Sequence, residues 1–501
     1  MKTKLIYILF AMAMVFMAYS CKKDDSNTSL ETLPKLGVDT VGGVNSFTVQ
    51  QSVQELVIDP KIVYDGDPKN LQYLWKIYGG ASVGGKTIVD TVGTNKQLKT
   101  FVNRNPGSYT AQLQVTDLTT TLKVQMTFTV IVSAPRPYGW LVAYEKQTGG
   151  STDVSLIRSN EFVSTVATEE VMKDIYSQVN GSGINGVPLR IANNGTLIIT
   201  DKTGVKVNAP DYKKISDFSQ LFVGGAPAPQ PEGLLDRSIG IHLINNGDIY
   251  WGSTTVFIGK VTLDAKGFKA LPIPIRIYAK NSGVFDDLNK RFFKMEQQTG
   301  QATTFPSPVT NAKFGINLNY INKNLLFVGD GSTQTGNFLH QYAFFRDLDG
   351  SKTWLYGLNF GAETDPGLCL IDLTPMPDIN SARFFETGTL GAMAIYATEK
   401  KIYSFTFSNN DNVAKDNRLG FTAPGNEVIT KISLFKAVGS GYTTATSKNN
   451  KILFVATWDE AAKNGKVYLL DVNPLSGAVA AAPLRTISGF GKIKDMILKP
   501  S

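Results

Sequence analysis

Short segments in which apolar and polar residues alternate follow one another along the first third of the chain. They include residues 46–49, 55–58, 71–76 and 108–117, and the β-branched segment 122–132. A period of two is that of a strand with one buried face. Turn-forming residues separate these segments, and the prolines of residues 134–137 cannot continue a ladder. About seven strands in about 100 residues predict a β-sandwich over residues 38–134.

Residues 138–501 show a different pattern, in which a turn containing Asn, Gly or Lys precedes an apolar strand. The turns recur at Asn194, Asn246, Asn289, Asn322, Lys400 and Asn450, most of them roughly 33 to 52 residues apart. Such an interval holds four short strands and predicts the blades of a β-propeller. At about 50 residues per blade we expect seven, with six or eight open, and two further sandwich domains are the alternative. Residues 168–178 alone are predicted to be helical, as a loop insertion.

The N-terminus has the features of a secretory signal peptide. Lys2 and Lys4 precede an apolar run over residues 5–17, which is too short for the roughly 20 residues of a transmembrane helix. Small residues, Ala18 and Ser20, occupy the third and first positions before Cys21, and this ending resembles a bacterial lipobox. This resemblance implies that residues 1–20 are removed and that acyl chains on Cys21 anchor the protein. A signal peptide cut nearby, with Cys21 as a bystander, is the alternative.

The segment behind the cysteine is charged and has no apolar content. Lys22, Lys23, Asp24 and Asp25 resemble the export signal that sends lipoproteins of Bacteroidetes to the outer face of the outer membrane. The plainer interpretation is a solvated tether on a lipoprotein retained in the periplasm. In either case residues 21–37 are predicted to be a linker.

The distribution of charge and the small number of reactive residues argue against several classes of function. The formal net charge is +8, but Lys and Arg are scattered among Asp and Glu, so we expect no nucleic-acid partner. Two histidines and two cysteines are few for metal or nucleophile chemistry. Cys369 is predicted to be a buried, unreactive thiol, and His242 a satisfied histidine within a strand. We therefore predict no catalytic residue, metal or cofactor, although a glycosidase could place its two carboxylates far apart in sequence.

The sandwich segment resembles the PKD-type immunoglobulin-like domain. Tyr73 and Trp75 form its Tyr-x-Trp strand, and Tyr109 and Asp117 belong to its Pro-Gly-x-Tyr and Val-x-Asp signatures. Lys76 departs from the common pattern, which leaves the turn after that strand uncertain. Trp75 and Tyr109 are expected to pack in the core.

Aromatic residues near strand ends are the candidate ligand contacts of the propeller. These are Trp354, Trp458, Trp251 and Tyr356. Their faces can stack on sugar rings or on apolar side chains of a peptide. Packing between blades is the alternative for each of them.

The whole arrangement resembles the PKD-like lipoproteins of Bacteroidetes, which are encoded beside SusC-like transporters and their SusD-like lids. The resemblance implies a non-catalytic accessory protein of the outer membrane that faces the cell exterior. Its ligand, for delivery to a SusC/SusD-type importer, would be an oligopeptide or a glycan, and we favour an oligopeptide slightly. A surface-displayed glycan hydrolase or lyase, and a scaffold or adhesin, are the alternative functions.

Overall fold

The computed structural model describes residues 33–39, 42–51, 54–79, 88–134, 138–146, 150–163, 166, 168–236, 240–252, 256–278, 281–296, 299–410, 412–436 and 446–499. They form two compact units that divide between Ser133 and Ala134. Cys21 and residues 22–25 lie outside the described residues. Among the helices that the structure describes, none is both long and apolar enough to cross a bilayer.

The first unit is a sandwich of short strands, as predicted. The strands are β1 (Leu36–Asp39), β2 (Ser46–Gln50), β3 (Glu55–Ile58), β4 (Lys61–Tyr64), β5 (Leu71–Gly79), β6 (Val89–Gly93), β7 (Leu98–Phe101), β8 (Gly107–Asp117) and β9 (Lys123–Ser133). The main sheet has the order β2-β9-β8-β5-β6, with β2 and β9 parallel. The pairs β1-β4 and β3-β7 complete the unit.

Trp75 and Tyr109 lie in the core of this unit, which confirms the expectation. Trp75 is fully buried, and its indole Nε1 donates to the carbonyl of Asn95 at 2.9 Å. The Tyr109 hydroxyl donates to the carbonyl of Asn105 at 2.6 Å and ties the strand to the preceding turn. The uncertain turn after β5, residues 80–87, lies outside the described residues.

The second unit consists of seven sheets in the part of the chain that the structure describes, six of them blades of four antiparallel strands and one, blade 1, a blade of five. Blade 1 holds β10 (Gly139–Glu145), β11 (Ser151–Arg158), β12 (Glu170–Met172) and a short β13 (Ile184–Asn185) on β11. Blade 2 holds β14 (Pro188–Ala192), β15 (Leu197–Thr200), β16 (Gly204–Val207) and β17 (Lys214–Asp217). Blade 3 holds β18 (Pro231–Leu235), β19 (His242–Asn245), β20 (Asp248–Gly252) and β21 (Phe257–Lys260).

The remaining blades follow in chain order. Blade 4 holds β22 (Ile275–Tyr278), β23 (Asn281–Asp286), β24 (Arg291–Glu296) and β25 (Ala302–Thr304). Blade 5 holds β26 (Lys323–Thr335), β27 (Phe338–Asp347), β28 (Thr353–Leu358) and β29 (Gly367–Asp372). Blade 6 holds β30 (Phe384–Thr387), β31 (Met393–Ala397), β32 (Lys401–Ser408) and β33 (Val413–Thr422). Blade 7 holds β34 (Val428–Leu434), β35 (Ile452–Asp459), β36 (Asn464–Asp471) and β37 (Arg485–Phe490).

The last strand, β38 (Lys492–Lys499), closes the ring by pairing with β10 in blade 1. Neighbouring blades contact one another through β38, β14, β18, β22, β26, β30 and β34, which are the inner strands. Because each blade has a path of four antiparallel strands from the centre outwards and the chain then returns to the centre, the inner strands all run in the same direction. The expected propeller of seven blades is confirmed.

The recurring turn residues do not occupy one equivalent place in each blade. Asn194 lies between the first and second strands of its blade, Asn246 between the second and third, and Asn322 before the first. All three have φ between 52° and 56°, a left-handed conformation that Asn adopts more readily than most residues. The motif therefore marks tight turns in general, which explains its uneven spacing.

The predicted helix over residues 168–178 is wrong in its extent. Residues Glu170–Met172 form β12, the outer strand of blade 1, where Glu170 pairs with Arg158 of β11. Helix α1 spans only Ile175–Asn180. Asp174 has φ 52° and separates the two elements, because a left-handed residue cannot continue a right-handed helix.

Candidate functional site in the central channel

A cavity of about 380 Å³ lies among the inner strands of the propeller. Its walls come from β14, β26, β30, β34 and β38, from Trp140 on β10 and from the segment before β22. Apolar side chains such as Ile273, Phe327 and Leu498 alternate there with charged ones. A cavity of this size, with an apolar wall and a few polar groups, is typical of a site for a small ligand.

Four charged residues from four blades form a network in the channel, which we call the inner charge network. It consists of Arg190 on β14, Asp236 after β18, Lys431 on β34 and Asp495 on β38. Arg190 Nη2 donates to both carboxylate oxygens of Asp236 at 2.9 Å. Asp495 lies 3.0 Å from Lys431 Nζ and 3.6 Å from Arg190 Nη1. The network thus joins blades 2 and 3 to blades 7 and 1.

Asp495 is the buried centre of this network. Its side chain is fully buried and accepts a hydrogen bond from the Ile191 amide at 2.9 Å. Burial alone would raise the pKa of this carboxyl, but Lys431 and Arg190 hold it below its usual value. Asp495 is therefore ionised in the folded protein at neutral pH.

A second ion pair lies in the same channel. Glu386 on β30 and Lys436, just after β34, are 2.7 Å apart. Glu386 also acts electrostatically on Arg190, although their inner strands belong to blades 6 and 2. Since blades 7 and 1 lie between these strands, this interaction crosses the channel. The two side chains therefore face a common space.

Two donors on the channel wall have no acceptor among the described residues. They are the indole Nε1 of Trp140 and the guanidinium Nε of Arg190, both of which are buried. Trp140 is held in place by Phe454, whose ring stacks on it at 3.8 Å. A buried donor without an acceptor is costly, so these two groups favour a ligand that carries acceptor oxygens.

The aromatic residues predicted to bind ligand lie on three different blades. Trp354 and Tyr356 are neighbours on β28, Trp458 is near the end of β35, and Trp251 is near the end of β20. The turns between second and third strands place Trp354 and Trp458 on one face of the propeller, and Trp251 on the opposite face. The structure therefore brings only Trp354 and Tyr356 together. None of the four lines the channel.

The surroundings of these aromatic rings differ. Trp354 is half-buried and donates to Asp347 at 3.0 Å, with the ammonium groups of Lys323 and Lys352 5.1 and 5.4 Å from its ring centre. Trp458 is buried and donates to Glu460 at 2.7 Å. Burial raises the pKa of Tyr356 to about 12.

The residues considered for chemistry are mostly occupied by structural contacts. His340 bonds Thr333 at 2.7 Å and Thr335 at 2.8 Å. Cys369 is buried as predicted, and burial raises the pKa of its thiol to about 11. His242 is buried within a strand as predicted, but only its Nδ1 has a partner. Across the described ranges, no group of three His, Cys, Asp or Glu side chains could hold a metal ion.

The inner charge network was missed by the sequence analysis. Arg190 and Asp495 are 305 positions apart, and no local motif connects them. The available signal was a charged residue within a short, mostly apolar strand, as in residues 188–192 and 493–498. Burying a charged side chain in such a strand destabilises the fold unless the charge is paired, and its partners must come from other strands.

Residues 21–188 match the PKD-like family. The match begins at the predicted lipid cysteine, covers the sandwich and ends at the start of blade 2. This confirms the predicted resemblance to the family over that part of the chain. The lipid anchor, the tether and the importer remain predictions.

Solved structures with a similar fold have very different sequences. A quinonprotein alcohol dehydrogenase-like protein from Bacteroides thetaiotaomicron is 13% identical, with a TM-score of 0.41 over 93% of this chain and 100% of that chain. The β-propeller domain of Cps50 (Swd1) from Myceliophteria thermophila is 10% identical, with a TM-score of 0.34 over 60% of this chain and 84% of that chain. A search of curated proteins gave no significant match. No activity is carried over from any of these proteins.

Proposed function

We propose that this protein is a lipid-anchored binding protein of the outer membrane that captures a small oligomer in the channel of its propeller. It presents the ligand to a SusC/SusD-type importer. The observation that carries the proposal is the channel itself, in which an apolar wall, Arg190 and Lys431 of the inner charge network, and two unpartnered donors surround a cavity of about 380 Å³. Oligopeptides and glycans both carry the acceptor oxygens that such donors require.

The chain organisation supports the cellular part of the proposal. The predicted lipobox at Cys21 and the charged residues 22–25 match what a surface lipoprotein needs. A tethered protein beside a transporter works at high effective concentration, so even weak binding delivers ligand. The four aromatic residues lie on second and third strands, where the buried Trp458 and Tyr356 pack in the blades and only the half-buried Trp354 and Trp251 keep surface for a partner.

Filling the channel tests the binding function. Ser433 lies on β34 among the residues that line the cavity, and Ser433→Trp places a large ring there. Ser488→Trp is the matched control, because Ser488 is exposed on β37, the outer strand of the same blade. Calorimetric titration with pools of short peptides and of oligosaccharides should show binding to the unchanged protein and to Ser488→Trp. Retained binding in Ser433→Trp would place the site elsewhere, and Trp354→Ala and Trp458→Ala would then test the aromatic candidates.

The partner and the location need a separate experiment. The full-length protein should fractionate with the outer membrane, be cleaved by protease added to whole cells, and co-purify in mild detergent with a TonB-dependent transporter. Protease resistance on intact cells would contradict surface exposure. Recovery without any transporter would contradict the importer association while leaving ligand binding intact.

A further inference from the structure

Two cations lie at one mouth of the channel. Arg383 directly precedes inner strand β30 of blade 6, and Lys494 lies near the start of inner strand β38 in blade 1. Because the inner strands run in the same direction, their starts lie at the same end of the channel. This is also the face that carries Trp354 and Trp458.

The two cations act on one another across the opening. Blade 7 separates their strands, yet Arg383 contributes electrostatically at Lys494. Burial lowers the pKa of Lys494 most, the charges of Lys492 and Arg383 lower it further, and the charge of Glu145, whose effect is larger than that of Arg383, opposes them. The charged groups that act on one another at this rim are thus three cations, Arg383, Lys492 and Lys494, and one carboxylate, Glu145.

Neither cation forms an ion pair with any residue that the structure describes. Arg383 lines the cavity, and the other cations that line it are paired: Arg190 with Asp236, Lys431 with Asp495, and Lys436 with Glu386. Arg383 is exposed and rests against the ring of Phe384, with its guanidinium carbon 5.6 Å from the ring centre. Its planar fork of donors is thus positioned at the opening without an acceptor.

We infer that this mouth binds an anionic group of the captured ligand, a carboxylate, between Arg383 and Lys494. Arginine matches the geometry of such a group with two parallel hydrogen bonds, whereas lysine supplies a point charge. The remainder of the ligand would extend into the channel, where the Trp140 and Arg190 donors meet its oxygens and Phe327 meets its apolar parts. This inference rests on the proposed binding function and specifies the chemistry of the ligand.

The anionic group could belong to a peptide, as its C-terminal carboxylate, or to an acidic sugar. Four probes separate these sources: tri-alanine, tri-alanine amide, digalacturonate and the methyl ester of digalacturonate. Each is titrated calorimetrically into the full mature chain at low and at raised salt. We expect at least one free acid to bind about tenfold or more tightly than its neutral counterpart, and to bind more weakly as salt screens the charges.

Substitutions at the mouth test whether Arg383 and Lys494 cause the tighter binding of the free acid. Arg383→Gln and Lys494→Gln should each weaken binding of the free acid about tenfold and leave binding of its neutral counterpart unchanged. Arg418→Gln is the matched control, since Arg418 is 44% exposed on β33, the outer strand of blade 6. It should change neither affinity. Arg383→Lys should recover part of the loss, because it restores the charge but not the fork.

Two results would overturn the inference. One is equal affinity for acid and neutral forms that Ser433→Trp abolishes, which would leave the binding function standing and remove the anion site. The other is binding of an acid that Arg383→Gln and Lys494→Gln do not change. Failure of all four probes to bind would also reject the anion site, whereas the peptide and oligosaccharide pools test the binding function independently.

Discussion

His242 should make the propeller sensitive to mild acid. It lies on β19 with no exposed surface, and its Nδ1 accepts a hydrogen bond from the Gly252 amide at 3.3 Å. Its Nε2 has no partner among the described residues. Burial lowers the pKa of this histidine from 6.5 to about 4, because the charged ring cannot be solvated there. The perturbation that tests this is His242→Gln.

The sign and size of the effect follow from the two pKa values. The folded protein keeps His242 neutral down to about pH 4, while the unfolded chain takes up a proton below about pH 6.5. The stability that this residue contributes is therefore complete above pH 6.5 and is lost as the pH falls towards 4. At pH 5 the loss is about 2 kcal/mol, and the whole difference is about 3 kcal/mol.

The assay is urea unfolding of the full mature chain and of His242→Gln at pH 7.5 and pH 5. At pH 7.5 the variant should be less stable by about 1–3 kcal/mol, because the Gly252 amide loses its acceptor. Between pH 7.5 and pH 5 the free energy of unfolding of the unchanged protein should fall by about 2 kcal/mol more than that of the variant. The carboxylates are the same in both proteins, so their contribution to the pH dependence cancels in this comparison. Equal losses in the two proteins would refute a buried, neutral histidine.

Three further predictions concern other residues. Asp495→Ala should destabilise the propeller by about 3–5 kcal/mol in thermal unfolding, because it leaves two cations around a buried space, whereas Asp471→Ala, at an exposed position on β36, should cost less than about 0.5 kcal/mol. Cys369 should resist a thiol reagent at pH 8 in the folded protein and react only after unfolding, and rapid native labelling would contradict its burial. Cys21→Ala should release the protein from membranes, and incorporation of labelled palmitate into this variant would exclude Cys21 as the acylated residue.

The blades could be predicted because the sequence patterns that indicate their strands and turns each lie within a short segment of the chain. An apolar strand after a tight turn is visible in any window of ten residues, as at Asn246 and Asn322, and chain length then fixes the number of blades. The outer strand Glu170–Met172 was wrongly predicted to be helical, because three residues at the edge of a sheet are too few to show the alternation of a strand. The propensity of the surrounding residues pointed to helix, and pairing with β11 decided otherwise.

The channel could not be predicted in the same way. Arg190, Lys431 and Asp495 meet only because the ring brings distant inner strands together. The aromatic residues Trp354 and Trp458 are conspicuous in the sequence, but the ring places them on separate blades. The position of a residue in the propeller depends on the number and order of all the blades. Local sequence patterns therefore identify the strands but not the side chains that meet in the central channel.

The pairing of β38 with β10 has a consequence for how the protein is made. The edge of blade 1 stays open during synthesis until residues 492–499 leave the ribosome, some 350 residues after β10. Bringing such distant segments together costs about 5 kcal/mol of chain entropy, and contacts of this range slow folding. An unpaired strand edge that persists for so long can pair with another chain. Removing the last eight described residues should therefore yield a protein that aggregates, because the ring would have no strand with which to close.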